Sequence, residues 1–503
     1  MPATVGPTDV TVVDDQKLPN ESLTPKDDEY VSLESGSGLD PVLEASLVRK
    51  LDFHIIPVVM LLYLCSFLDR INIGNAKLYG LEDDLGITGT LKYQTAVSLL
   101  FVTYLLFEVP SNLVIKKFRP SRWIAFITVA WGLVATFTGL AQSYGGLIAC
   151  RLLLGLFEAG LFPGLTVYLT FWYTRKEIAL RIGYLFVSAA IAGACGGLLA
   201  YAIGFLDGTS GMRGWRWIMI LEGIPTVLLG LITPFILSDG PSTARFLTPD
   251  ERIYMAKRMQ LQHGSTVRPE ETLKKKDVIA CFKDWKCYTY AIGLWGMDTM
   301  LYGYSTYLPT IIRTLGKWPT PVVQALTIPC YALGATVYLL VAWWSDKHQR
   351  RGIPSLIAAL VSIVGYVLLI TPVGGPVRYF GCFLIAGGLY VAVGLPLAWN
   401  VVNIPRYGKK AAASGFQLTM GNASGVMSAY LYPAKDGPQF VKGHAVTIAM
   451  ISVGMMAYGT LLTYYISENK ARDAGKRDHL IEGKSEEEID EMGDDSPRFR
   501  YVI

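Results

Sequence analysis

The sequence is short of charge. Only 17% of its 503 residues are Asp, Glu, Lys or Arg, against 51% hydrophobic, and the mean hydropathy is +0.35. A soluble domain seldom carries that balance, so composition points to a chain that crosses a membrane many times. Histidine is scarce as well: of five, none falls in an HExxH arrangement, and no glycine-rich phosphate loop follows a strand pattern. With no His/Glu metal set and no paired catalytic aspartates, an enzyme is not expected, nor is a cofactor. The seven cysteines (65, 150, 195, 281, 287, 330 and 382) form no disulfide framework; most lie in apolar runs, where cysteine behaves as a small hydrophobe. The first fifty residues lack the apolar core of a signal peptide and are acidic and Ser/Thr-rich. They read as a disordered tail, which leaves the first span to act as its own insertion signal. The net charge of +4 sits in basic loops and gives no reason to expect a nucleic-acid partner.

What the chain does have is twelve apolar runs, each near the 20 residues needed to cross a hydrocarbon core of about 30 Å. They cover approximately 53–75, 93–115, 123–141, 146–173, 181–205, 215–237, 288–312, 321–344, 354–372, 377–401, 411–432 and 445–467. The fold class expected is an all-α membrane protein of 12 transmembrane helices in two six-helix bundles. Basic residues mark one set of loops: Lys116, Lys117, Arg119 and Arg122; Arg175, Lys176 and Arg181; Lys347, Arg350 and Arg351; Arg406, Lys409 and Lys410. The opposite loops hold fewer, so the positive-inside bias places both termini in the cytoplasm. The expected divisions are a tail at 1–50, a first bundle at 51–237, a cytoplasmic linker at 238–286, a second bundle at 287–467 and a solvated polar tail at 468–503.

The two halves carry related motifs. "GACGG" (193–197) and "GNASG" (421–425) have glycines four apart and are offset by 228 positions; the basic turns containing Lys116 and Asp346 are offset by 230. Small residues let membrane helices approach closely in any fold, but two near-equal offsets argue for a six-plus-six duplication, an architecture typical of secondary transporters.

Charges inside the spans are the chemical signal. From Ile55 to Leu68 the first span offers only fourteen uncharged residues, about 21 Å of helix, so it must continue through Asp69 and Arg70 to cross. Buried charges at such depth cost several kcal/mol unless they face protein or a wet cavity. Neighbours in sequence point about 100° apart on a helix, so each charge needs its own partner. In the fourth span Arg151, Gly155, Glu158 and Phe162 share a face, and Glu158 is the natural partner for Arg70. Two readings fit: a proton-coupling pair, in which Glu158 takes a proton when an anion occupies Arg70, or a static ion pair that staples two helices. The second span places Tyr104 and Glu108 one turn apart, with Pro110 free to kink the helix; Tyr104 could face a cavity, and Glu108 could lock a loop. In the second half Asp298, Asn400, Asn403, Gln417 and Asn422 are the polar intrusions, which suggests coupling in the first half and substrate fitting in the second. Glu222 reads as structural, and Trp295, Tyr302, Tyr304 and Trp399 are ambiguous.

The motifs "LDRINIGNA", "EVPSNLVIKKFRPSRWI", "RLLLGLFEAGLFPG", "GWRWIMILEGIP" and "WWSDKHQRRG" resemble the major facilitator superfamily over residues 50–470. More closely, the chain resembles the fungal allantoate permease family of anion:cation symporters. The resemblance implies that Asp69 and Glu158 are protonatable coupling residues, Arg70 the carboxylate-binding cation, and Tyr104 and Asn422 substrate contacts. Arg151, Glu108, Asp346 and Arg350 are assigned gating or structural roles. Lys116 stands where the superfamily's loop motif usually carries an aspartate, whereas the second copy keeps Asp346. The fifth span also lacks the Gly-Pro element of proton-driven drug exporters, which favours uptake. The expectation is therefore a monomeric plasma-membrane symporter, driven by the proton gradient, for a small monocarboxylate such as nicotinate, pantothenate or allantoate. An exporter of a fungal secondary metabolite is the alternative; a non-transporting nutrient receptor would need a longer signalling tail than the 36 residues after Ser467.

Overall fold

A chain in hydrocarbon must satisfy its backbone polar groups internally, and every long apolar run here does so as α-helix. The computed structural model describes residues 41–88, 91–115, 119–174, 177–263 and 275–503, and among them there is no strand. The first forty residues, Lys116, Lys117, Arg175, Lys176 and the middle of the linker lie outside the described residues. The first half comprises α1 (Pro41–Leu78), α2 (Lys92–Ile115), α3 (Pro120–Thr138), α4, α5 (Ile178–Ile203) and α6 (Gly214–Ile236). The second comprises α7 (Trp285–Arg313), α8 (Thr320–His348), α9 (Gly352–Ile370), α10 (Gly375–Asn403), α11 (Tyr407–Ser428) and α12 (Val441–Asp473). The α4 span is broken into Tyr144–Glu158 and Leu161–Thr170. Pro163 has no N–H to offer the carbonyl four residues back, so the helix loses a rung just after Glu158.

Among the described residues, nine of these spans are long and apolar enough to cross a membrane by composition alone. The other three, α2, α7 and α11, are 24, 29 and 22 residues long. Length suffices in each, and these three carry the polar Glu108, Asp298, Gln417 and Asn422. The exterior is apolar, with Phe53, Leu106, Phe126, Phe235, Leu340 and Phe380 more than half exposed, while Asp69, Arg70, Glu158 and Asp298 are buried. Such an arrangement, with the greasy side outward, suits lipid as solvent.

Within the first half α3 packs on α6 and α2 on α4; within the second α9 packs on α12 and α8 on α10. These are the same pairings displaced by six helices. The halves join along α5 with α8 and along α2 with α11, again equivalent under that displacement. The glycine motifs lie in these joints. Gly197 leaves room for Thr327 of α8, and Gly425 for Phe101 of α2. At the end remote from the linker, Gly74 of α1 lies directly against the Thr306 carbonyl of α7, and Thr95 and Tyr430 hydroxyls are 3.4 Å apart. At the linker end, Asp52 pairs with Arg181 at 2.6 Å and Lys50 with Glu251 at 2.7 Å. Arg406 pairs with Asp277 there as well.

Of the residues after Ser467, expected as a solvated tail, 473–480 and 482–486 are exposed as expected, but the last ten return to the linker end of the second half. Val502 N–H donates to Asn403 Oδ1 at 2.8 Å, its carbonyl accepts from Trp399 Nε1 at 2.6 Å, and Tyr501 stacks on Tyr465 at 4.2 Å. Asp494 is buried between Lys286 Nζ at 2.6 Å and Lys409 Nζ at 2.8 Å. Burial alone would raise its carboxyl; the two ammonium groups outweigh that and hold it below the ordinary aspartate value. Polarity misled the expectation, because each buried charge here has a partner.

Candidate functional site

Helix α1 sets the site by turning two adjacent charges into different neighbourhoods. Arg70 faces α4, where its Nη2 and Nε lie 2.6 and 3.1 Å from a single oxygen, Glu158 Oε1. Ser66, one turn earlier on α1, donates to the same oxygen at 2.5 Å. Glu158 Oε2 is buried with no hydrogen-bond partner among the described residues. The carboxylate thus has one saturated oxygen and one bare one. The guanidinium is also enclosed by aromatic faces, with its carbon 4.9 Å from the Tyr104 ring, 5.9 Å from Tyr302 and 6.0 Å from Phe101. Such contacts stabilise a cation while presenting an apolar wall.

The same arginine reaches the other half. Its Nη1 donates to Tyr302 Oη at 3.4 Å, and Tyr302 donates in turn to Asn422 Oδ1 at 2.6 Å. One chain of polar contacts therefore runs Glu158, Arg70, Tyr302, Asn422, from α4 through α1 and α7 to α11. Arg70, Tyr104, Glu158 and Asn422 are brought together, and Tyr302, ambiguous in the sequence, joins them. Its signal was there: Asp298 and Tyr302 are one turn apart and share a helix face.

Asp69 lies apart from this chain. Trp131 Nε1 of α3 and Thr226 Oγ1 of α6 donate to its Oδ2 at 3.2 and 3.3 Å, which places it inside the first half. Arg151 is 2% exposed and its Nε has no hydrogen-bond partner among the described residues; both carboxyl oxygens of Glu222 are likewise buried and unmatched. Glu108 accepts from Thr419 Oγ1 of α11 at 3.4 Å, a link between halves. Asp346 pairs with Arg351 at 3.2 Å, while the neighbouring Arg350 is exposed. Asn400 donates to Gln417 at 2.7 Å. Asn403, read as a polar intrusion for substrate fitting, holds Val502 at the linker end instead.

The arrangement offers a cation that an anion can take from its carboxylate, and a carboxylate oxygen open to a proton. Among the described residues no group of three or more His, Cys, Asp or Glu side chains converges to hold a metal. A sequence profile of the Major Facilitator Superfamily matches residues 59–429. An uncharacterised transporter of Schizosaccharomyces pombe is 39% identical, covering 91% of this chain and 90% of that one. The high-affinity nicotinic acid transporter of Saccharomyces cerevisiae is 31% identical, covering 92% and 85%. The bacterial homologue of the human lysosomal transporter Spinster, solved inward-facing and unoccupied, superposes with a TM-score of 0.61 at 16% identity, covering 85% of this chain and 99% of that one. Profile, relatives and fold agree, and the chain belongs to the Major Facilitator Superfamily.

Proposed function

We propose that this transporter is a proton-coupled symporter for a small organic monocarboxylate, working by alternating access at the plasma membrane with both termini cytoplasmic. The observation that carries this reading is the buried Arg70–Glu158 pair with its one bare carboxylate oxygen. A substrate carboxylate competes for the guanidinium, with Tyr104 and Tyr302 shaping the approach. Once Arg70 turns to the substrate, Glu158 is a buried charge without its counter-ion, a state that costs several kcal/mol. Protonation of Oε2 removes that charge, so anion and proton bind together and the loaded site carries less net charge through the membrane. Asp69, held by Trp131 and Thr226, is a second place for a proton. A relative named for nicotinic acid supports a monocarboxylate as cargo.

The test is uptake of a radiolabelled carboxylate panel, including nicotinate, pantothenate and allantoate, by transporter-deficient yeast expressing this chain at pH 5 and pH 7. At least one acid is expected to enter faster at pH 5. Absence of acid-stimulated uptake across the whole panel would overturn the proposal.

A further inference from the structure

Asp298 of α7 is 5% exposed and, among the described residues, makes no hydrogen bond or ion pair; its Oδ1 is buried and bare. Its Oδ2 lies against the Cα of Gly421 on α11, where any side chain would collide with it. A carboxylate accommodated by a missing side chain and matched to nothing is poorly explained as a structural group. Its position is informative. Tyr302, one turn further along α7, holds both Arg70 and Asn422, and Asn422 follows Gly421 in sequence. The bare carboxylate therefore continues the wall that begins at Arg70. Tyr458 of α12, fully buried, interacts with both Asp298 and Gln417.

Resting on the carboxylate reading above, we propose that Asp298 is the second pole of the substrate site and accepts an N–H donor, ammonium, amide or ureido, on the molecule whose carboxylate Arg70 takes. The unmatched acceptor supports the assignment. Asp298 Oδ1 is buried with no partner among the described residues, and an N–H donor at the far end of the substrate matches it. Tyr458 and Gln417 supply further polar atoms around such a group. Substrates lacking the donor leave the carboxylate desolvated and bare, which is a strong basis for rejection.

The test competes uptake of the carboxylate taken up in the yeast assay with matched acids of equal length, β-ureidopropionate against hexanoate and γ-aminobutyrate against pentanoate. At least one donor-bearing acid is expected to inhibit at a concentration at least about tenfold below its alkyl counterpart. Asp298→Asn is expected to shrink that ratio to about threefold or less, through weaker inhibition by the donor-bearing acids, stronger inhibition by the alkyl acids, or both. Equal inhibition within both pairs on the wild-type chain overturns the proposal, and this arm decides even if the variant fails to reach the membrane. A variant that keeps full discrimination but loses acid stimulation also overturns it, making Asp298 a proton site. Uptake of no carboxylate at all would bring down the transport reading itself, a result distinct from uptake without donor preference.

Discussion

A guanidinium that gives two N–H groups to one carboxylate oxygen leaves the other oxygen free, an asymmetry that supports the proposed coupling role over a staple. A staple gains most from a bidentate fork, with each oxygen matched. Glu158 is matched on Oε1 and bare on Oε2. Glu158→Gln keeps shape and an acceptor for Ser66 but cannot take the proton. Accumulation against a gradient is expected to disappear while counterflow exchange persists; retained pH-driven accumulation would reduce the pair to a staple. Arg70→Lys preserves charge but loses the planar fork and its fit between aromatic faces, costing about 1.5–3 kcal/mol of carboxylate binding. The expected readout is a KM raised roughly ten- to a hundredfold, with protein still at the cell surface. Sequence spacing was enough to pair Arg70 with Glu158, because helix periodicity fixes which residues share a face. It could not show that Asp69 turns to Trp131 and Thr226, since side-chain direction across helices depends on how each helix is rotated.

At the level of elements, α1 begins twelve residues earlier than expected and α12 ends six later, but hydropathy located the other ten of the twelve spans to within four residues at each end, because hydrocarbon demands continuous apolar helix. It missed the break after Glu158, although Pro163 was in view; a proline only kinks or breaks where neighbours re-satisfy the freed carbonyl. The break places an interrupted turn next to Glu158. Glycines locate the joints. Gly74 gives α1 and α7 a backbone-to-backbone contact at the end remote from the linker, and a side chain there meets the Thr306 carbonyl. Gly74→Val is therefore expected to part that end and abolish uptake without preventing membrane insertion. A cysteine placed at Tyr93, 1% exposed in the parent, should become reactive to an impermeant thiol reagent in this variant. Unchanged labelling together with normal uptake would show that the contact does not need to close.

The whole molecule adds what local patterns cannot supply. Nothing in the acidic stretch after Ser467 announced docking; the signal was the short run "RFRYVI", whose Tyr501 and Val502 find Tyr465, Trp399 and Asn403 only in three dimensions. Docking joins residues of α7, α10, α11 and α12, so it stiffens the second half as a body. Because the Asp494 carboxyl is held below its ordinary value, its contribution is fully present above the ordinary aspartate value of 3.8 and fades only as pH falls through the lowered one. Backbone amides of 493–503 should thus stay protected from hydrogen exchange equally at pH 5 and pH 7. Asp494→Asn leaves Lys286 and Lys409 with the partly exposed Asp284, and Lys286 also with the exposed Asp495, and should cost on the order of 3 kcal/mol, read as lost protection and a lower melting temperature in detergent. The joints between halves have a mechanical consequence. In the alternating access proposed above, the two equivalent contacts, α2 with α11 and α5 with α8, would serve as a matched pair of bearings, and two bearings define one axle. Bodies on a single axle would keep one rotational freedom, so parting them at one face would bring them together at the other, and a continuous leak would be avoided by linkage alone, without a separate door.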